Sequence, residues 1–191
     1  MRRLTLLVAV VAAALCGCGV STQRSPEAIT LPAPRATVST VPSSGPALES
    51  VFLVHGSALQ AVRRRTSTSG DVRQVLELLA VGPSVAEARD GLRTALAPQT
   101  ISVLSLSDSG VLTLGVTRQF TGVVGADQLL AVAQVVWTVS QFPWVHRVRF
   151  LTGGQALEVP TDRGLVERAV TRADYRTVAP PPGPGSSAPP T

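Results

Sequence analysis

Apolar positions along this chain fall in short blocks, each with its own period. Val51-Phe52-Leu53-Val54-His55 is an apolar run closed by Gly56, which predicts a buried strand. Val72, Val75, Leu76 and Leu79 then recur at helical spacing behind Asp71. Asp71 can cap the open amides of that helix, with Gln74 three residues later placed to reach back. Gly82-Pro83 stops it, and a shorter helix is predicted from Ser84 to Asp90, ended by Gly91. Thr100 to Ser107 and Val111 to Thr117 read as strands of a hairpin, with Gly110 of Asp108-Ser109-Gly110 suited to a positive φ. Asp127 to Phe142 is apolar nearly all round, which predicts a largely buried helix halted by Pro143. Trp144 to Leu151 alternates, with His146, Val148 and Phe150 on one face and Arg147 and Arg149 on the other. Gly153-Gly154 turns that strand into Gln155 to Val159, a second hairpin. The order β-α-(α)-β-β-α-β-β predicts an α/β (α+β) fold, a single small domain with a mixed sheet and helices on one face.

The periodic block, residues 49–178, is flanked by different material. Arg2 and Arg3 precede an apolar run, Leu4 to Leu15, broken only by Thr5 and followed by Cys16-Gly17-Cys18-Gly19. A charged start, a short apolar core and small residues at its exit make a secretory signal over residues 1–17. The run falls short of the roughly 20 apolar residues that a membrane span needs. Its exit, Leu15-Cys16-Gly17-Cys18, resembles a bacterial lipobox, in which Cys18 takes the diacylglycerol; Cys16 fails because the bulky Leu15 precedes it. Two acyl chains hold stably where one binds marginally. The expected location is therefore the cell membrane, on its extracytoplasmic face. Residues 19–48 are rich in Ser, Thr, Pro and Ala with no period, a tether spanning roughly 30 Å as a coil and about 100 Å when stretched. Residues 179–191 read as a Pro-rich tail without a packed core.

Composition sharpens this picture at three points. The chain is 45% hydrophobic but only 4% aromatic, so its core must rest on Val, Leu and Ala. Every basic residue is Arg, a pattern of GC-rich coding rather than of a need for guanidinium. Loss of Arg2 and Arg3 with the leader would lower the formal charge from +5 to +3, and apart from Arg63-Arg64-Arg65 the charge is scattered. That scatter argues against a nucleic-acid partner. Cleavage before Cys18 would discard Cys16 and leave no thiol pair for a disulfide or a zinc site.

Candidate chemistry is sparse. His55 and His146 sit in predicted strands and read as core-edge residues, and no Gly-x-Ser-x-Gly elbow occurs. Gln134 stands out among Val132, Ala133, Val135 and Val136, and a buried amide there must be hydrogen-bonded. It is expected to clamp a neighbouring backbone, and Arg172 and Tyr175 to fasten the C-terminal segment. Arg63-Arg64-Arg65 reads as a solvated run, or else as a contact for phospholipid or acidic wall polymer. Arg147 and Arg149 point the same way about 7 Å apart and form the candidate binding pair, since two guanidinium forks suit carboxylate or phosphate.

Four segments together carry a family resemblance: Gly82-Pro83-Ser84, Gly91-Leu92-Arg93-Thr94-Ala95, Ala133-Gln134-Val135-Val136-Trp137-Thr138 and Val170-Thr171-Arg172-Ala173-Asp174-Tyr175. From Val51 to Tyr175 the chain resembles a GerMN domain, found in sporulation and spore-germination proteins and in actinobacterial lipoproteins. The resemblance implies a fold related to ring-building motifs of secretion systems, no known catalytic residues, and a role in assembly or envelope recognition; no cofactor is expected. Gly82, Pro83, Gly91, Thr94, Gln134, Arg172 and Tyr175 are the family positions it picks out. Gly115 departs from the pattern, which leads one to expect an acidic or polar residue, and no second repeat follows. The leading expectation is an envelope binding or assembly module with an envelope protein or wall polymer as partner. The alternative is an envelope hydrolase with an unrecognised site.

Overall fold

The computed structural model describes residues 45–96 and 101–182. The leader, Cys18, most of the tether, Thr100 and the end of the Pro-rich tail lie outside the described residues, which all belong to one compact unit, Val41–Thr191.

β1 (Ala47–His55) and β2 (Ala58–Thr66) pair antiparallel along their whole length, with Ala47 opposite Thr66 and His55 opposite Ala58. The strand therefore begins at Ala47, inside the expected tether, and β2 is an element the apolar pattern did not predict. α1 (Val72–Val81) buries Val75, Leu76 and Leu79, and α2 spans Val85–Arg89. β3 (Leu92–Arg93) pairs with the end of β1, giving a three-stranded sheet in the order β2-β1-β3.

A second, mixed sheet runs β4-β5-β6-β7. β4 (Ser102–Leu106) and β5 (Val111–Val116) form the expected hairpin, β5 runs parallel to β6 (Arg147–Thr152), and β7 (Gln155–Ala156) turns back along β6. Between β5 and β6 come α3 (Arg118–Thr121) and the long α4 (Ala126–Val139), which buries Leu130 through Val136, Thr138 and Val139. α4 stops at Ser140, ahead of Pro143, where the amide of Ser140 still donates to Val136. A separate hairpin, β8 (Val159–Thr161) with β9 (Gly164–Val166), replaces the single strand expected to end at Val159. The expected mixed sheet is thus one of two larger sheets in a small α+β domain. α4 and α1 pack on each other and on β1.

The core matches the composition: Val51, Leu53, Val54, Leu59, Leu112, Leu114, Val135, Val136 and Val148 are fully or almost fully buried. Only a few rings join them, with Phe120 stacked on Phe150 and Phe52 tilted against Trp137. The C-terminal segment closes the domain through three sets of bonds. Val170 exchanges both backbone bonds with Val148, Val178 accepts from the amide of Leu59, and Asp162 accepts from the amides of Arg176 and Thr177.

Candidate functional site

In β1 the backbone groups of alternate residues face the same edge. On the edge away from β2, Val54 is served by β3, but the short β3 stops there. The exposed groups of Phe52 and Ser50 are met instead by polar side chains of α4 and the residues just after it. Gln134 Nε2 donates to the Phe52 carbonyl at 2.9 Å, and Thr138 Oγ1 accepts from the Phe52 amide at 3.1 Å. Gln141 repeats the motif on Ser50, accepting from its amide at 2.8 Å and donating to its carbonyl at 2.7 Å. Positions 134, 138 and 141 lie on one helical stripe, so the helix completes a strand edge that would otherwise be left unpaired and costly.

Gln134 has a second partner. Its Oε1 accepts from the amide of Ala95 at 2.7 Å, so this fully buried side chain joins β1, α4 and the segment after β3. Sequence reasoning singled out Gln134 but not Thr138 or Gln141 as partners of the strand. The missed signal was their spacing from Gln134, one polar position per turn in an apolar helix.

Arg172 approaches the same region from the C-terminal segment. Its guanidinium lies 4.7 Å from the Trp137 ring centre and 5.7 Å from that of Phe52, and it donates to the Trp137 carbonyl at 2.8 Å. Such cation–π contacts are worth about 0.5–2 kcal/mol as desolvation increases. Burial lowers the Arg172 pKa from its usual value and raises that of Tyr175, which is fully buried. Among the described residues the Tyr175 hydroxyl has no hydrogen-bond partner.

The remaining family positions are also built into the frame. Gly82 caps α1 at φ 80°, and a side chain there would touch Thr94 at 3.4 Å, with Pro83 following at the turn. Thr94 accepts from the amide of Leu96, and Gly91, at φ 85°, lies under the ring of His55. The four motifs therefore converge on one structural frame rather than on an open site.

Several expectations need correction. His55 and His146 are exposed rather than core-edge residues. Gln74 does not reach back to the start of α1; its amide oxygen accepts from the Ser67 amide at 2.7 Å, while Asp71 caps the helix alone. The reciprocal cap occurs instead on α2, between Ser84 and Glu87. The solvated Arg63-Arg64-Arg65 run is split, because Arg64 forms a fork on Glu87 at 2.7 and 2.6 Å.

That fork has a pH signature. The Arg64 hydrogen bonds, followed by the Ser84 amide, hold the Glu87 pKa at about 2 against an ordinary 4.5. A depressed carboxylate contributes stability in full above its unfolded pKa and loses it as pH falls through the folded one. Glu87 should therefore stabilise the domain above about pH 4.5 and stop doing so near pH 2. With both side chains about one-fifth exposed, solvent screens the pair. Glu87→Ala, which removes both the acceptor for the Ser84 amide and the ion pair, should cost about 1–2 kcal/mol at neutral pH. Urea unfolding at pH 7 and pH 3 checks it; a variant as stable as the parent at pH 7 refutes it.

The exposed candidate lies elsewhere, on β6. Arg147 and Arg149 are exposed while Val148 and Phe150 between and beyond them are buried. Their parallel neighbours on β5 are Val111 and Thr113. Next along this face is Gly115, and the Leu104 side chain lies so close over it that a Cβ there would stand only 3.3 Å from the Leu104 methyls. Leu104 sits at a register shift in β4 between Val103 and Ser105. The missing side chain at Gly115 is thus replaced from the neighbouring strand.

A cleft of about 40 Å³ between Phe120, Val132 and Val159 is far smaller than the roughly 300–1,000 Å³ of ordinary ligand pockets. Among the described residues no group of three His, Cys, Asp or Glu side chains is placed to hold a metal, and no helix is long and apolar enough to cross a membrane.

Comparison with known proteins places this architecture. The sequence profile "Germane: Sporulation and spore germination" matches residues 42–158. Solved GerMN structures share the fold. The tandem GerMN domains of the sporulation protein GerM from Bacillus subtilis align with a TM-score of 0.54 at 20% identity, covering 67% of this chain and 47% of that one. The first GerMN domain of that protein aligns with a TM-score of 0.51 at 19% identity, covering 67% of this chain and 99% of that one. The chain thus spans about half of the tandem structure and almost all of the single domain. No curated protein matches the sequence.

Proposed function

The chain belongs to the Germane family of sporulation and spore-germination domains, and from that premise we propose that it is a lipid-anchored envelope protein whose domain works by binding rather than by turnover. The anchor is carried by Leu15-Cys16-Gly17-Cys18 behind a short apolar leader. Binding rather than catalysis is supported by where the family motifs go. Gln134 and Thr138 spend their polar groups on the protein's own backbone, and Arg172 gives one terminal nitrogen to the Trp137 carbonyl. The β6 face points outward, with Arg147 and Arg149 beside Thr113. Paired guanidiniums on a rigid strand suit a carboxylate or phosphate group, on an envelope protein or on a wall polymer.

Two variants test the two halves separately. Cys18→Ser should move the protein from the membrane to the soluble fraction, whereas Cys16→Ser should not. Retention of Cys18→Ser on membranes in high salt, with no acyl chains on the native N-terminus by mass spectrometry, would reject the anchor. Arg147→Glu with Arg149→Glu should leave the melting temperature nearly unchanged, because exposed charges contribute little. It should abolish crosslinking to the envelope partner and the cellular function. Full function in that double variant refutes the binding face.

A further inference from the structure

We infer that Arg63 and Arg65 form a second cationic face, which lays the domain against an anionic phospholipid bilayer at the point where the tether enters. The inference rests on lipid anchoring through Cys18. It starts from the division of the arginine run by β2. Alternation puts Arg63 and Arg65 on one side of the strand and Arg64 on the other. Arg64 is engaged by Glu87, while Arg63 and Arg65 are exposed.

The register fixes what surrounds them. Arg63 lies opposite Ser50 and Arg65 opposite Leu48, on the same face of the sheet. Leu48 is 53% exposed although it is a large apolar side chain. The acidic residue between them in sequence, Glu49, belongs to the other face, opposite Arg64, and accepts from the amide of Gly70. Two outward guanidiniums beside an outward Leu are what a headgroup layer binds: phosphate for the charges and the acyl boundary for the apolar side chain.

Topology adds the location. Ala47, the first residue of β1, is the register partner of Thr66, the last residue of β2. The chain coming from Cys18 therefore joins the domain beside Arg65 and Leu48. A short tether makes bilayer contact effectively intramolecular, so a weak face suffices. Each Arg near an anionic surface is worth about a fivefold shift in the docked population, lost as salt shortens the screening length.

The test uses the mature lipidated protein carrying Leu48→Cys, with Cys18 blocked by its own lipid and the new thiol labelled with an environment-sensitive fluorophore. Vesicles are either phosphatidylcholine alone or equal parts phosphatidylcholine and phosphatidylglycerol. The expected result is flotation with both vesicles but a blue-shifted label, quenched by spin-labelled lipid, only on the anionic ones. High salt should reverse the shift. Arg63→Glu with Arg65→Glu should abolish it, and Arg63→Lys with Arg65→Lys should keep it, because a bilayer reads charge rather than fork geometry. Failure to float overturns the anchor and the docking with it. Flotation with an unresponsive label, an equal response on neutral vesicles, or an unchanged response in the Glu variant overturns docking alone. Loss of the response in the Lys variant also overturns it, and assigns the face to a partner that needs the guanidinium fork.

Discussion

Gly110→Ala should destabilise the domain by about 2–4 kcal/mol, combining the cost of a left-handed conformation with that of forced overpacking. Gly110 is buried, with φ at 72°, in the turn between β4 and β5. A Cβ there would stand 2.6 Å from Nδ1 of His146 and 2.8 Å from the Trp144 carbonyl oxygen. The ring of the exposed His146 can swing aside, but the carbonyl cannot. The Gly110 carbonyl also accepts from the amides of His146 and Arg147, at 2.8 and 3.1 Å, which holds the two segments together. His146→Ala in the same chain should therefore recover only part of the loss. Urea unfolding of the single and double variants measures this; a Gly110→Ala variant as stable as the parent contradicts it. The effect should reach the proposed binding face too, because these bonds seat Arg147 at the start of β6, opposite Val111.

The legible parts of the fold were those whose own period declares them. α1, α2, the hairpin at Gly110 and the alternation of β6 all follow from local apolar spacing and turn chemistry. β2 was illegible for a physical reason. It is an edge strand, a third of it is the run Arg63 to Arg65, and a charge run resembles a solvated loop unless its partner is known. Charged edges are tolerated in sheets because they discourage pairing with other chains. Here Arg64 also finds Glu87 across the fold, a contact of sequence separation 23 that no local window contains. The β8–β9 hairpin was lost to length, since Val159-Pro160-Thr161 is too short to show a period and Pro interrupts it.

The candidate site divides in the same way. Gln134 was visible because an amide inside an apolar helix must be satisfied, yet its partners lie 39 and 82 residues away and no spacing rule names them. Gly115 was visible only as a gap. The side chain that fills it, Leu104, comes from the neighbouring strand at an irregular register, which sequence alternation does not specify. The positions shared with the family proved to be frame residues. A resemblance built on them therefore identifies the fold well and the partner poorly.

The frame itself can be tested at its centre. Gln134→Ala should lower stability by about 2–4 kcal/mol, because it strands two buried backbone groups, the Ala95 amide and the Phe52 carbonyl, at about 1–3 kcal/mol each. Water could satisfy them only if the space left by the amide admitted it, and Gln134 is fully buried. Gln134→Leu separates hydrogen bonding from volume. It refills most of the space but offers neither donor nor acceptor, so it should recover the cavity cost and leave the unpaired groups. Gln134→Glu keeps an acceptor for Ala95 but turns a second acceptor, or a buried proton, toward the Phe52 carbonyl. Its stability should rise as pH falls far enough to protonate the new carboxyl, opposite to the trend expected from Glu87. Chemical unfolding of the three variants across pH 4–8, read with hydrogen exchange at the Phe52 and Ala95 amides, decides the matter. A Leu variant as stable as the parent would show that packing alone holds α4 to β1 and that the polar stripe is dispensable.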